Sequence, residues 1–175
     1  MNPATARKLG AEAFGTFCLV FAGTGAIITN GITGGAVSHV GIGLVFGLVV
    51  LVMIYALGDV SGAHLNPAVT LGFRAAGRIE TGLAGAYILA QVAGALAASL
   101  VLAGLFPERP TLGETIPAGP PLQSFWLELI LTMILMVVIL GVATGAKEKG
   151  SWPVSRWAAR SAWRLSSPAR SAGPR

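Results

Sequence analysis

Four long apolar stretches dominate the pattern of residues along the chain. They cover residues 11–29, 40–57, 83–106 and 125–144. The length of each stretch is close to that of a membrane-spanning helix, which needs about 20 residues to cross roughly 30 Å of hydrocarbon. Small residues recur four positions apart within them, as at Gly43 and Gly47, a spacing that lets membrane helices approach closely. The pattern predicts an all-α integral membrane protein with four transmembrane helices, because four buried helices of a soluble protein would need polar faces that these runs lack.

The composition supports this class. Hydrophobic residues make up 54% of the chain and charged residues 11%, with a mean hydropathy of +0.73, whereas a soluble domain carries about 25% charged residues. The single Cys18 excludes an internal disulfide framework. The first apolar run is long and lacks a small-residue cleavage site before a polar region, so we interpret it as a retained span rather than a signal peptide.

The basic residues indicate how the spans are oriented. They precede the first span, lie between the second and third, and follow the fourth, whereas the other two connections hold Arg109 alone. These three segments lie on the same side of the membrane if all four runs cross it. Their basic residues are Arg7, Lys8, Arg74, Arg78, Lys147 and Lys149. This positive-inside distribution predicts a multi-pass protein of the cell membrane with a cytoplasmic N-terminus. It also explains the formal charge of +5 without nucleic-acid binding.

One shorter helix is predicted between the second and third spans, over residues 67–77. Asn66 followed by Pro67 is a helix-start signature, and Arg74 near the other end suits both the helix dipole and the cytoplasmic face. Eleven residues of helix extend about 16 Å, half the hydrocarbon thickness. We therefore predict a re-entrant half-helix, with an amphipathic connector lying on the membrane surface as the alternative.

The residues before this half-helix are Gly62, Ala63, His64 and Leu65. Non-helical backbone at membrane depth is tolerated where it lines a water-filled cavity, so we expect an extended segment whose four carbonyl groups line a pore. The Asn66 side chain is expected to cap the half-helix through its oxygen and to leave its amide N–H₂ free as a donor. The positive end of the half-helix would repel cations and protons.

These residues carry a family resemblance. "SGAHLNPAVT" resembles the first NPA box of the aquaporin (major intrinsic protein) family, and "AEAFGTF", "YILAQVAGA" and "FWLELILT" resemble its first, third and fourth helices. The resemblance covers residues from about 5 to 150. It implies a passive channel for water or small neutral solutes, built from two inverted repeats that each hold three spans and one half-helix. It also implies a family tetramer.

The resemblance assigns roles to individual residues. Asn66, Pro67 and Ala68 would form the pore NPA box, and Phe46 would lie at the selectivity constriction. Phenylalanine there favours water and tryptophan is typical of glycerol facilitators, although Phe46 could equally serve span packing. Three polar residues inside spans would buttress the half-helix loops, with a proton relay as the alternative for the two acids. These residues are Glu12, Gln91 and Glu128.

Other chemistry is disfavoured. Asp59, Ser61 and His64 suggest a hydrolase, but they are close in sequence and lack a strand–turn–helix elbow or an oxyanion site. His39 and His64 are too few for a metal site. We therefore predict that the chain is not an enzyme and holds no metal or cofactor.

The tail, residues 151–175, departs from the family domain at residues 1–150. It has no apolar run where the family continues with a fifth span and a second NPA box. Permitted codons for this tail, read in another frame, can encode an apolar span, which suggests a frameshift near Gly150. The alternative is a basic interfacial helix with Arg156 and Arg160 four apart and Trp157 as an anchor.

We therefore interpret the chain as an aquaporin-like water channel that is truncated and incomplete. The alternatives are a nonconducting membrane fragment or interaction protein, and the remnant of a glycerol or small neutral solute facilitator.

Overall fold

The computed structural model describes residues 2–109, 111–117 and 119–144. All regular structure in these residues is helical, and the tail at 151–175 lies outside them. The helices are α1 (Pro3–Ile32), α2 (Ser38–Ser61), α3 (Pro67–Ala75), α4 (Thr81–Leu105) and α5 (Pro121–Thr144). Among the described residues, all of these except α3 are long and apolar enough to cross a membrane. The predicted class, an all-α membrane protein with four spans, is confirmed.

The helices extend beyond the apolar runs where polar residues continue the helical backbone. Helix α1 begins at Pro3, well before the apolar run at 11–29. The Asn2 side chain accepts a hydrogen bond from the Ala4 N–H at 3.0 Å, and Pro3 occupies the first helical position. An asparagine cap followed by proline starts a helix whatever the polarity of the next turn.

Helices α1 and α4 run parallel and approach closely. Gly94 lies against the backbone of Ala13, and a Cβ added at Gly94 would overlap the Ala13 carbonyl oxygen. Further along both helices, the Leu102 side chain lies 3.6 Å from the position of a Cβ on Gly25. Because glycine has no side chain, the two helix backbones can approach closely here. Van der Waals packing then holds these apolar helices together, since the hydrophobic effect does not act between helices within a membrane.

Helices α1 and α2 run antiparallel and also pack through glycines of α1. The Phe46 ring lies against Gly23, and the Leu57 side chain lies against Gly15. At both glycines an added Cβ would overlap these side chains. The α1 glycines therefore provide the space into which the larger α2 side chains insert.

Between α2 and α3 lie the link, residues 62–65, and the N-cap residue Asn66. The backbone of the link is not extended as the sequence predicted. Gly62, Ala63 and Leu65 have φ angles of +91°, +47° and +55°. These values belong to the left-handed region, which L-residues other than glycine rarely adopt. The prediction was wrong because it treated the link in isolation, whereas contacts with α1 determine its backbone.

Helix α3 has nine residues, and the five residues 76–80 separate its end at Ala75 from the start of α4 at Thr81. The Arg74 Nε atom donates a hydrogen bond to the Thr81 hydroxyl at 2.8 Å, which joins the two helix ends. The chain divides into two compact units, Met1–Ser124 and Phe125–Arg175. The first unit contains α1 to α4, and the second contains α5 from Phe125 onward.

Candidate functional site

The Glu12 carboxylate is the centre of a polar cluster inside the first unit. Its Oε1 atom accepts hydrogen bonds from the Ser61 hydroxyl at 2.6 Å and the His64 N–H at 3.0 Å. Its Oε2 atom accepts from the Leu65 N–H at 2.7 Å and from Gln91 Nε2 at 2.8 Å. Glu12 is 0% exposed, so the protein alone satisfies this buried carboxylate.

This carboxylate explains the unusual backbone of the α2–α3 link. The left-handed conformations turn the N–H groups of two successive residues, His64 and Leu65, toward one anion. Successive N–H groups in such turns form an anion-binding concavity. A left-handed conformation costs an L-residue about 1–2 kcal/mol, whereas a hydrogen bond to a charged group contributes about 1.5–3 kcal/mol. The two charge-assisted bonds therefore offset the strain at Ala63 and Leu65.

Further hydrogen bonds hold the two ends of the link. The Tyr87 hydroxyl donates to the Ser61 carbonyl at 2.8 Å, and the Thr16 hydroxyl donates to the Leu65 carbonyl at 3.0 Å. The Ser61 hydroxyl also accepts from the Ala63 N–H at 3.1 Å. Of the four carbonyls predicted to line a pore, that of Leu65 thus uses one lone pair inside the protein. Side chains of both α1 and α4 therefore hold the link in place through hydrogen bonds.

The Thr70 hydroxyl forms the second centre of the cluster. It lies 2.9 Å from Gln91 Nε2, 3.2 Å from His64 Nδ1 and 3.1 Å from the Asn66 carbonyl oxygen. The His64 ring stacks on Phe73 with ring centroids 4.3 Å apart. The Tyr87 ring meets it edge-on at 5.2 Å. The imidazole therefore has a fixed position between α3 and α4.

Asn66 lies at the exposed edge of this cluster, where α3 begins. Its side-chain oxygen accepts a hydrogen bond from the Ala68 N–H at 2.7 Å. Pro67 follows at the first helical position, where the missing N–H would have had no partner. Because the oxygen is used in the cap, the Asn66 amide N–H₂ is left as an exposed donor at the positive end of α3.

The cluster lies well inside the length of its helices. Glu12 is about 14 Å along α1 from Pro3, and Gln91 is about 15 Å along α4 from Thr81. These two residues bond to each other, and both bond to groups at the start of α3. The start of α3 is thus about half of a 30 Å hydrocarbon thickness away from the common end of α1 and α4.

The structure brings most of the predicted site residues together. Those in or next to the cluster are Glu12, Gly62, Ala63, His64, Leu65, Asn66, Pro67, Ala68 and Gln91. Phe46 lies apart from them, against Gly23, about 16 Å along α1 from Glu12. Glu128 is an exposed residue of α5, in the second unit. The roles assigned to Phe46 and Glu128 therefore stay predictions.

Sequence reasoning missed three residues that hold the cluster together, Thr16, Thr70 and Tyr87. A usable signal exists for two of them. Thr16 follows Glu12 by four positions, and Tyr87 precedes Gln91 by four, so each pair lies on one helix face. Two polar pairs at this spacing in otherwise apolar spans indicate a buried polar contact between those spans.

Comparison with known proteins identifies the family. A family model described as "Major intrinsic protein" matches residues 1–157. The chain belongs to the major intrinsic protein family. It is 49% identical over 146 residues to Aquaporin NIP1-3 of Oryza sativa subsp. japonica, covering 83% of this chain and 51% of the relative. It is 46% identical over 145 residues to Aquaporin NIP1-1 of Zea mays, covering 82% and 51%.

A third relative, Aquaporin NIP1-2 of Arabidopsis thaliana, is 42% identical over 152 residues, covering 82% of this chain and 52% of the relative. The chain thus spans about half the length of the curated relatives it matches. Membership in the major intrinsic proteins confirms the predicted family and a multi-pass membrane protein. Because these proteins are channels rather than enzymes, the prediction that the chain is not an enzyme is also confirmed.

Proposed function

We propose that this major intrinsic protein forms part of the wall of a passive channel for water and small neutral solutes. In this proposal the permeating molecule passes the carbonyls of the α2–α3 link and then Asn66. The observation that supports it most is the exposed Asn66 amide, whose oxygen is engaged by the Ala68 N–H. A fixed amide donor at a helix start can bind a passing oxygen atom without reorienting.

The proposal includes a re-entrant position for α3. The helix would start near the middle of the membrane and return to the cytoplasmic face. The positions of Glu12 and Gln91, well inside their helices, support this arrangement. The hydrogen bond from Arg74 to Thr81 also supports it, because it holds the end of α3 against the start of α4, which would lie at the membrane surface. The N-terminus of α3 would then place a positive partial charge at mid-membrane, which disfavours cations.

The parallel course of α1 and α4 supports the proposed orientation. Arg7 and Lys8 lie near the start of α1, and Arg74 and Arg78 lie near the start of α4, so all four are near one end of the helix bundle. By the positive-inside rule this end is cytoplasmic. We accordingly propose a cell-membrane protein with a cytoplasmic N-terminus that associates with further copies, as the family resemblance implies.

Water is the solute that we propose first, with other small neutral solutes as the second choice. Phe46 supports water if its ring narrows the pore, and its contact with Gly23 would hold the ring in place. The relatives are named as aquaporins. Replacement of Phe46 by the larger tryptophan tests the constriction, because it should change the ratio of water to glycerol permeability if the ring borders the pore.

Osmotic shrinkage of proteoliposomes that contain the full chain, followed by stopped-flow light scattering, tests the proposed function. We expect water permeability above that of empty liposomes, and a decrease in Asn66→Asp, which keeps the cap oxygen but removes the donor and adds a negative charge. The chain offers a matched control at Asn2, which caps α1 through the same contact with the second residue after it. Asn2→Asp should leave permeability unchanged.

Two outcomes would contradict the proposal. Permeability equal to that of empty liposomes would make this chain a nonconducting membrane protein. Equal effects of Asn66→Asp and Asn2→Asp would show that the Asn66 amide does not face the permeating molecule.

A further inference from the structure

The hydrogen atoms around Thr70 can be assigned by counting donors and acceptors. Gln91 Nε2 contacts both the Thr70 hydroxyl and Glu12 Oε2. A carboxylate oxygen needs a donor, so the Gln91 amide must direct its nitrogen there. A flipped amide would direct Gln91 Oε1 at the carboxylate instead. With its nitrogen toward Glu12, the Gln91 amide leaves its own Oε1 buried and without a hydrogen-bond partner among the described residues. The requirement of the Glu12 carboxylate for a donor therefore determines the orientation of the amide.

The Thr70 hydroxyl has one hydrogen and two lone pairs. Gln91 Nε2 donates to one lone pair. The Asn66 carbonyl oxygen, 3.1 Å away, can only accept, and a helical threonine commonly bonds the carbonyl four residues earlier in this way. The hydrogen of Thr70 therefore goes to Asn66. One lone pair remains, and it faces His64 Nδ1 at 3.2 Å, so this nitrogen must carry a hydrogen.

The opposite assignment satisfies fewer groups. If Thr70 donated to His64 Nδ1, its oxygen would face the Asn66 carbonyl oxygen at 3.1 Å with no hydrogen between them. Two acceptors would then be in contact and one of the three hydrogen bonds would be lost. In a cluster this buried, the arrangement with all three bonds is favoured.

We propose that Thr70 is a positioning residue that holds His64 as the neutral tautomer with its hydrogen on Nδ1. The consequence is a lone pair on Nε2. This atom makes no hydrogen bond within the described residues, and it is not among the fully buried atoms that lack a partner. His64 is 9% exposed, and its Nε2 atom lies 3.6 Å from the position of a Cβ on the exposed Gly62.

The tautomer gives the candidate site a complementary pair of groups. His64 Nε2 is a fixed acceptor and the Asn66 amide nitrogen is a fixed donor, on residues two positions apart in the chain. A hydroxyl group both donates and accepts, so this pair suits water and small neutral molecules that carry hydroxyl groups. This part of the inference rests on the proposed function, whereas the tautomer itself does not.

Solid-state NMR of the full chain in liposomes, with ¹⁵N-labelled histidine, measures the tautomer directly. The sample is kept at about pH 8, above the ordinary pKa of histidine. His39→Asn identifies the signals of the other histidine. We expect His64 Nδ1 to give a pyrrole-type resonance and Nε2 a pyridine-type resonance. The reverse pattern, or two pyrrole-type resonances, would overturn the proposal.

Two variants test whether Thr70 causes this tautomer. Thr70→Ser keeps the hydroxyl and should keep the wild-type pattern. Thr70→Val has a similar shape but no acceptor, so we expect part or all of the pyrrole-type signal to move to Nε2. An unchanged pattern in Thr70→Val would overturn the role of Thr70. Should that variant fail to fold, the wild-type and Thr70→Ser spectra still decide the assignment.

Permeability separates this inference from the proposed function. We expect Thr70→Val to lower water permeability several-fold relative to Thr70→Ser, because the acceptor on His64 Nε2 is lost. Equal permeability of these two variants would overturn the role of His64 Nε2 in binding solute. Wild-type permeability equal to that of empty liposomes would defeat the proposed function and leave the tautomer assignment to the spectra.

Discussion

Gln91 donates a hydrogen bond to Glu12 across 2.8 Å, although the two residues lie 79 positions apart in the chain. Both side chains are 0% exposed. This contact joins α1 to α4 at the depth where α3 begins. It combines with the bonds from Glu12 to the α2–α3 link, so a single carboxylate connects three helices and a strained turn.

Replacement of Glu12 by glutamine should destabilise the protein by about 1–3 kcal/mol. The amide nitrogen of the new side chain must face donors whichever way it turns, because both carboxylate oxygens accept backbone N–H groups. Thermal unfolding in detergent measures the effect. Glu80→Gln is the matched control, since Glu80 is exposed and its side chain makes no cap hydrogen bond. Equal unfolding midpoints for the two variants would refute this account.

Gln91→Glu should make stability depend on pH. The new carboxylate would lie about 2.8 Å from that of Glu12, where two like charges repel. Stability should therefore be lowest at neutral and alkaline pH and recover as the pH falls and one carboxyl group takes up a proton. Unfolding midpoints of Gln91→Glu and wild type measured over a pH series test this. A constant difference between the two proteins would argue against direct contact of the carboxylates.

Gly94→Ala should separate α1 from α4, because the added methyl group would overlap the Ala13 carbonyl oxygen. Overpacking of this kind typically destabilises by about 1–3 kcal/mol. Gly85→Ala is the control in the same helix, since a Cβ there has no neighbour within 4 Å. It should be neutral or slightly stabilising because alanine favours helix. The prediction fails if both variants unfold at the same temperature.

Ala63→Gly should be tolerated, although glycine usually destabilises a folded chain. Ala63 has a φ of +47°, and glycine relieves about 1 kcal/mol of left-handed strain there while losing a similar amount in backbone entropy. Ala98→Gly gives the contrast, because Ala98 is fully buried within α4. It should lower stability by about 1 kcal/mol or more. Chemical unfolding of both variants compares them.

The proposed orientation predicts which positions react from outside the cell. In a Cys18→Ser background, Arg7→Cys and Arg78→Cys should be protected from a membrane-impermeant thiol reagent added to intact cells. Glu108→Cys, in the connection between α4 and α5, should be labelled. All three positions are exposed in the structure, so protection would reflect the membrane. Labelling of Arg7→Cys from outside would reverse the topology.

Sequence patterns were sufficient for the elements that depend on local chemistry. The apolar runs located four long helices, since crossing a membrane requires length and apolarity. The Asn–Pro dipeptide located the start of α3 at Pro67. The backbone of the α2–α3 link was not predictable, because its left-handed residues are stabilised by a carboxylate about 50 positions away. The hydrogen-bond partners of Thr70 required the same long-range information.

The two Asn–Pro–Ala segments of this chain separate what the sequence determined from what the tertiary structure decided. Asn2 and Asn66 each cap a helix through the N–H of the second residue after them, with Pro3 and Pro67 at the first helical position. The tripeptide alone determines this local geometry, because a side-chain oxygen and a fixed φ angle act within one turn. Its position in the fold is a separate matter. Asn2 is an exposed residue at the start of α1, whereas Asn66 lies beside the buried bonds from Glu12, Thr16 and Gln91. Only contacts between distant helices produce the environment of Asn66.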